Sequence, residues 1–179
     1  MYANPMQRLM LLAALAGALP GAQAMAQPSP WACSLGYTSC KLRPAHGTDE
    51  LMNGWALGGD YTFKPNWAVE ASFNHQTGTE ADVIDLRQQG VMAGLKSTWT
   101  IDGKLQGFAH GLIGREQLRA SAGSQEDERT SFAYGPGIGL DLAMTPHWSA
   151  RGTLDFIYTH YAGANQGSPA LLVGLVYRR

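Results

Sequence analysis

The sequence predicts an all-β protein, an eight-stranded antiparallel up-and-down transmembrane β-barrel. Three observations carry that prediction. Apolar residues recur with a period of two over stretches longer than an ordinary soluble strand. Short and long polar connections alternate along the chain. Aromatic residues collect near the strand ends, where a membrane–water interface would lie.

Composition sets the limits. At 179 residues a single domain is expected. Charged residues make up only 15%, and glycine is abundant at 22 residues. Downstream of the N-terminus no run of about 18 apolar residues occurs, which excludes a helical span there. A net charge of -1 gives no electrostatic case for nucleic acid, and none is expected as a partner. A near-neutral mean hydropathy does not oppose a membrane, because lipid-facing and lumen-facing residues cancel within any window.

Residues 1–26 read as a signal peptide, leaving 27–179 as the barrel domain. Arg8 supplies the positive start and Leu9 to Leu19 the apolar centre; Ala22-Gln23-Ala24 or Ala24-Met25-Ala26 offers a small-residue cleavage site. An N-terminal helix of the mature fold is the competing reading, but the apolar stretch is short and runs into Pro20-Gly21. Export would carry the chain into an oxidising compartment.

The first strand is expected over Trp31 to Cys40, with Cys33, Leu35, Tyr37 and Ser39 on one face. On a straight strand Cys33 and Cys40 would lie on opposite faces about 23 Å apart, too far for a disulfide. A bridge would therefore require the segment to bend, while the exported context favours oxidation; both outcomes stay open.

Two strands follow around the turn Lys64-Pro65-Asn66, whose proline and asparagine are good turn formers. On the first, Trp55, Leu57, Gly59, Tyr61 and Phe63 alternate with Gly54, Ala56, Gly58, Asp60 and Thr62. On the second, Trp67, Val69, Ala71 and Phe73 alternate with Ala68, Glu70, Ser72 and Asn74. After a polar loop over Thr77 to Asp85, Arg87 to Thr100 sets Val91, Ala93, Leu95 and Trp99 against Gln88, Gly90, Met92, Gly94, Lys96 and Thr98. Asp102-Gly103 is a strong hairpin signal. The return strand, Lys104 to Arg119, has ambiguous faces: Leu105, Ala109 and Ile113 compete with Phe108 and Leu112, and Gln106 and His110 are assigned inward.

A second polar loop is expected over Ala120 to Arg129. The next strand, Thr130 to Met144, sets Phe132, Tyr134, Pro136, Ile138, Leu140, Leu142 and Met144 against Ser131, Ala133, Gly135, Gly137, Gly139, Asp141 and Ala143. Pro136 requires a bulge or a missing ladder bond, since a closed barrel has no edge strand to hold it. After the turn Thr145-Pro146-His147, Trp148, Ala150, Gly152, Leu154, Phe156 and Tyr158 share a face opposite Ser149, Arg151, Thr153, Asp155, Ile157 and Thr159. A loop over Ala162 to Pro169 precedes the last strand, Ala170 to Tyr177.

Three short connections thus alternate with four longer ones, as in an outer-membrane barrel with short periplasmic turns and long outer loops. Phe63, Trp67, Trp99, Trp148 and Tyr177 form the expected aromatic ring at the short-turn interface. Trp55, with Phe73, Phe132, Tyr134, Phe156 and Tyr158, marks the other interface. Trp55 to Phe63 spans about 26 Å along the strand, or roughly 20 Å after tilting, close to the apolar band of such barrels.

Asp60, Glu70, Lys96, Asp141, Arg151 and Asp155 are all assigned inward. Charges buried in so narrow a lumen must pair, so a salt-bridge network is expected with Arg151 between acidic partners. Eight strands give an interior that side chains fill, which favours a plug over a gated pore.

No catalytic residue, cofactor or metal is assigned. His147-Trp148-Ser149 has a His-x-Ser spacing, yet His147 sits in a short turn and Ser149 points into the lumen; His75 and His160 lack a nucleophile and carboxylate set. The glycines at 135, 137 and 139 are not followed by the Lys-Ser/Thr of a phosphate loop and are read as leaving room for bulky lumen neighbours. Glu126-Asp127-Glu128 is read as a solvated loop tip rather than a cation site.

A set of glycine and aromatic motifs recurs in order along the chain: Asn53-Gly54-Trp55, Trp67-Ala68-Val69-Glu70-Ala71, Gly107-Phe108-Ala109-His110-Gly111-Leu112-Ile113-Gly114 and Gly137-Ile138-Gly139-Leu140-Asp141. His147-Trp148-Ser149-Ala150-Arg151, Asp155-Phe156 and Gly174-Leu175-Val176-Tyr177 complete it. By these motifs the chain resembles the small eight-stranded bacterial outer-membrane barrels of the OmpA type, a resemblance that rests on their order and spacing together. It covers nearly all of the mature chain, without a peptidoglycan-binding domain. Family members usually end on an aromatic read by the barrel-assembly machinery; here Arg178 and Arg179 follow Tyr177.

What these readings imply is a monomeric protein of the bacterial cell outer membrane with a structural or surface-interaction role. Its partners are outer-membrane lipid and, during insertion, the barrel-assembly machinery. Two alternatives stand beside it. A lipid-modifying barrel enzyme needs a His/Ser/acid set at the long-loop rim. A soluble exported barrel for a small apolar ligand needs an apolar interior, the reverse of the faces assigned here.

Overall fold

Side chains that alternate apolar and polar along every strand leave two different surfaces, and closing the sheet satisfies both while removing every unpaired edge. The computed structural model describes residues 30–42, 50–80, 84–122, 125–161 and 164–179; the signal peptide expected over residues 1–26 lies outside them. Eight strands run in sequence: β1 (Trp31–Leu42), β2 (Glu50–Lys64), β3 (Trp67–Glu80), β4 (Ile84–Asp102), β5 (Leu105–Ala122), β6 (Gln125–Ala143), β7 (Trp148–Tyr161) and β8 (Ala164–Arg178). Each is antiparallel to the next, and β1 pairs with β8 to close the barrel.

The faces follow the period of two. Leu57, Val91, Leu95, Ile113, Ile138, Leu154, Leu171 and Val173 point outward and are exposed, whereas Asp60, Glu70, Lys96, Asp141, Arg151 and Thr153 point inward and are buried. This is a protein turned inside out, with its apolar side chains on the outer wall. β5 resolves in the same way: Phe108, His110 and Leu112 are buried and Ile113 is exposed.

Each short turn has a local cause. Between β2 and β3, Asn66 takes the left-handed conformation (φ 69), which asparagine tolerates. Between β4 and β5, the Asp102 carboxylate accepts the Gly103 N–H at 2.7 Å. Between β6 and β7, the Thr145 hydroxyl accepts the Trp148 N–H at 3.0 Å. The register shifts between Thr62 and Lys64 and between Thr100 and Asp102, both beside these turns. Opposite β7, the ladder omits Gly135 and Pro136 and resumes at Gly137 in the same register, so the missing N–H of Pro136 costs paired rungs and creates no bulge.

The other end of the barrel departs from expectation. Most of the segments read as long polar loops are strand. β3 continues to Glu80 and β4 starts at Ile84; β5 continues to Ala122 and β6 starts at Gln125; β8 starts at Ala164. The described strands there end at Leu42, Glu80, Ala122 and Tyr161 and resume at Glu50, Ile84, Gln125 and Ala164. The long loop expected at about Lys41–Glu50 lies largely outside the described residues, while the other three give way mostly to strand. β4 and β6 each run 19 residues, whereas a tilted strand crosses the bilayer in about 9–11. Outside the bilayer both faces meet water, so the apolar period vanishes while the ladder continues. Glu128, read as part of a loop tip, is instead a strand residue facing Arg119. An Arg119 Nε–Glu128 Oε2 contact of 2.8 Å ties β5 to β6 there.

The cysteines are free. Cys33 is exposed and Cys40 buried, as opposite faces of an unbent strand require, so the bridged alternative falls away.

Candidate functional site

The lumen holds the only concentrated chemistry among the described residues, and it is built in layers. Nearest the short turns, β2, β3, β4, β6 and β7 deliver Asp60, Glu70, Lys96, Asp141, Arg151 and Asp155 to one region. Lys96 Nζ is ion-paired with Asp60 and lies 3.9 Å from Glu70 Oε2. The Arg151 guanidinium donates Nε to Asp141 Oδ1 at 2.8 Å and Nη2 to Asp141 Oδ2 at 3.0 Å, a bidentate pair. The same Nη2 reaches Asp60 Oδ2 at 3.3 Å. Asp60 therefore joins β2 to β4 on one side and to β7 on the other.

Three further side chains complete this layer. His110, expected inward, joins the charge set. Its Nδ1 lies 2.9 Å from Glu70 Oε2 and its Nε2 2.7 Å from Asp155 Oδ1, so one ring from β5 joins β3 to the opposite wall, β7. Both nitrogens face carboxylate oxygens, a geometry that the imidazolium, with two N–H donors, satisfies in full. Phe108, 1% exposed, sits beneath both cations, with Lys96 Nζ 5.3 Å and the Arg151 guanidinium 4.9 Å from its ring centre. Arg178, read only as an addition after the terminal aromatic, turns inward and donates to Asp141 Oδ2 at 2.6 Å and to Ser149 Oγ at 3.1 Å. Glycine supplies the space. Gly137 faces His110 and Gly139 faces Phe108 across the β5–β6 ladder. A Cβ on Gly137 would collide with the Asp155 carboxylate and the His110 ring.

Further along β4 and β5 the lumen turns apolar, with Met92, Leu112, Ala133 and Ile157 in one cluster. A second polar layer around Gln88 and Glu116 comes next, and then Met52 and Leu86 with Ile84, Leu118 and Ala120 packed against them.

The aromatic positions divide between the two barrel ends. Trp148 and Tyr177 pack with ring centres 5.0 Å apart at the short-turn end, where Phe63, Trp67 and Trp99 are also exposed. Trp55 packs on Phe73 at 5.4 Å, and Tyr134 stacks on Tyr158 at 5.5 Å, toward the other end.

Outward-facing apolar walls, a closed eight-strand ladder and a charged lumen form one pattern. Over residues 9–178 the chain matches the family described as outer membrane protein beta-barrel domain. The chain belongs to that family. Membership places it in the bacterial outer membrane.

Solved structures share the fold. Neisserial surface protein A superposes with a TM-score of 0.72 at 12% identity, over 86% of this chain and 99% of that one. Ail, the attachment invasion locus protein of Yersinia pestis, gives 0.63 at 19% identity, over 86% and 100%. OprG from Pseudomonas aeruginosa gives 0.59 at 10%, over 88% and 99%. At these identities the likeness is one of fold. No curated protein sequence matches the chain.

The outer-membrane placement sets the context for the remaining candidates. Ser149 is buried in the lumen beside Arg178, and His147 in the turn lies 3.0 Å from the Arg178 carbonyl oxygen, so the two do not form a nucleophile–base pair. His75 contacts Gln89 at 3.1 Å, and the His160 side chain lies outside the described residues. Among the described residues no group of three His, Cys, Asp or Glu side chains could hold a metal ion. Asp127 is held by Arg129, with Nη2–Oδ2 at 2.8 Å.

Proposed function

We propose that this outer-membrane barrel is a non-catalytic, non-conducting protein. It anchors polar hairpins on the cell surface for structural or surface-interaction roles. The observation that carries the reading is the ionic layer spanning the lumen, from Glu70 on β3 through His110 to Asp155 on β7 and from Lys96 through Asp60 to Arg151, with Phe108 beneath it. A layer so tied together is a plug, because moving any one member strands a buried charge. Function then lies on the outside, in the strand extensions and the turns that join them.

Outer-membrane lipid is the proposed partner of the wall, in a monomer, with the assembly machinery engaged through β8 during insertion. Support comes from the rim of β4 and β5. Arg87 and Arg119 are register partners there, exposed, and line an outward groove of about 640 Å³ with Asn53, Thr77, Thr79 and Asp85. Lipid phosphates would meet these guanidinium groups above Phe73 and Val91. The terminal aromatic function falls to Tyr177, which packs on Trp148 while Arg178 is used inside.

Planar-bilayer recording tests the plug. The reconstituted protein should leave the membrane at its unmodified conductance; reproducible channel steps would overturn the reading. For the absence of catalysis, lipid from membranes with and without the protein should show the same acyl composition by mass spectrometry.

A further inference from the structure

The second polar layer differs from the first in one respect: its charge is unpaired. In the ionic layer Asp60, Glu70, Asp141 and Asp155 face Lys96, Arg151, Arg178 and a doubly bonded His110, acid for base. Glu116 has no cationic partner among the described residues, yet it is only 2% exposed. Its nearest company is amides. Gln88 donates Nε2 to Glu116 Oε2 at 2.6 Å, and Gln76 donates Nε2 to Thr38 Oγ1 at 3.0 Å.

With those N–H groups committed, the amide oxygens are left over. Asn74 Oδ1, Gln76 Oε1 and Gln88 Oε1 are all buried and find no hydrogen-bond donor among the described residues. Flipping Gln88 does not help, since it would aim an oxygen at the carboxylate. The ladder keeps the four residues together. Gln76 and Gln88 are direct partners across β3 and β4; Asn74 and Glu116 stand on either side of Gly90, which has no side chain to separate them. A Cβ on Gly90 would lie only 2.6 Å from Asn74 Oδ1 and 3.1 Å from Glu116 Cγ. The four oxygen-bearing side chains line part of a lumen cavity of about 70 Å³, which touches Thr38 and Ser168 there and runs on to Glu70, His110, Arg151 and Asp155 of the ionic layer. That is room for several water-sized particles.

One negative charge, three orphaned amide oxygens and nearby hydroxyls on one stretch of the lumen are a hard-oxygen ligand set. A proton on Glu116 would supply one donor and leave most of those oxygens unmet. A small cation would neutralise the carboxylate and attract all of them. The charge count selects its valence, because a divalent ion would replace one buried net charge by another. We propose that the outer half of the lumen binds a single monovalent cation of the sodium class, held by Glu116 with Asn74, Gln76 and Gln88 and completed by water.

The site lies between Met92, Leu112 and Ile157 on one side and Leu86 and Met52 on the other. The ionic layer closes the lumen beyond it, so a cation held here acts as an internal staple rather than a permeating ion. This inference rests on the plugged lumen, but the two fail separately. Channel steps sink the plug, whereas a silent barrel indifferent to cations sinks only the site.

The test is to refold the full chain in detergent micelles in sodium chloride or in N-methylglucamine chloride at equal ionic strength. The unfolding midpoint is then read from heat-induced change in gel mobility. The expected result is a midpoint that rises with the logarithm of sodium concentration in the wild type, and a Glu116→Gln variant with the same midpoint in both salts. Equal wild-type midpoints in the two salts would overturn the proposal. Should Glu116→Gln fail to fold, crystals of the wild type grown in thallium(I) decide the matter. An anomalous peak beside Glu116 supports the site, and its absence at full thallium exchange refutes it.

Discussion

Removing Arg151 tests the ionic layer most directly. Its guanidinium is 3% exposed, bidentate to Asp141, shared with Asp60 and stacked 4.9 Å from the centre of Phe108. Breaking a buried pair from one side costs about 3–5 kcal/mol. Here neither acid is fully orphaned, because Asp141 keeps Arg178 at 2.6 Å and Asp60 keeps Lys96. That places Arg151→Met near the lower limit, about 3 kcal/mol, with the lost cation–ring contact adding about 1. Asp141→Asn should cost about 3 kcal/mol, since it leaves two guanidinium groups short of a charge.

The double variant discriminates. Independent sites would sum, but residues in one network couple by about 0.5–3 kcal/mol. Arg151→Met with Asp141→Asn should therefore fall about 2 kcal/mol short of the sum of the singles. Urea unfolding in lipid vesicles, followed by tryptophan fluorescence, measures all three. Trp55, Trp67, Trp99 and Trp148 are exposed on the outer wall, so their emission reports loss of the lipid environment. An Arg151→Met cost under about 1 kcal/mol, or additivity within about 0.5, would refute the view that these groups act as one unit.

Two further substitutions probe the faces. Leu154 is exposed between Ile138 and Leu171 on neighbouring strands; Leu154→Arg should cost about 2–4 kcal/mol and lower the yield of folded barrel in vesicles, and an unchanged yield would show that this face does not meet lipid. Gly137→Val, aimed at the His110–Asp155 contact, should cost about 1–3 kcal/mol by the same unfolding assay. Gly111→Ala, where the added carbon meets nothing, should stay within about 0.5.

The wall and the direction of the charges were legible because two solvents impose opposite demands on alternate residues. Asp60, Glu70, Lys96, Asp141, Arg151 and Asp155 could be placed from parity alone. The strand ends were not legible. Beyond the bilayer, residues such as Arg119 and Glu128 face water on both sides, and nothing in their polarity separates a ladder from a loop. β5 was ambiguous for a different reason: the lumen contains apolar layers as well as charges, so Phe108 and Leu112 break the polar-inside rule. The signal that resolves it lies on the next strand. Gly137 and Gly139 stand opposite His110 and Phe108, small against large, as a narrow lumen requires. Arg178 was also within reach, since Tyr177 pointing out obliges its neighbour to point in.

Why such a lumen carries charge at all is a question of specificity. A buried ion pair is weak evidence for stability, because an apolar filling of equal volume often does as well. Register is another matter. Slipping one strand by a residue exchanges its faces, so a shifted β7 would put Arg151 and Asp155 into lipid and Leu154 and Phe156 into the lumen. An arginine facing lipid costs about 2–4 kcal/mol at the bilayer midplane and less toward the short-turn interface, near which Arg151 would sit. It would also abandon Asp141 and Asp60 inside. With an apolar lumen the slipped barrel would exchange one greasy face for another and lose little. The charges thus penalise the wrong pairings more than they stabilise the right one. They do so on six strands at once, β2 to β7, because each contributes a member of the ionic layer. Arg178 extends the device to β8, the strand that closes the barrel on β1. On this argument the arginine that follows the terminal aromatic helps to lock the register of that closing strand.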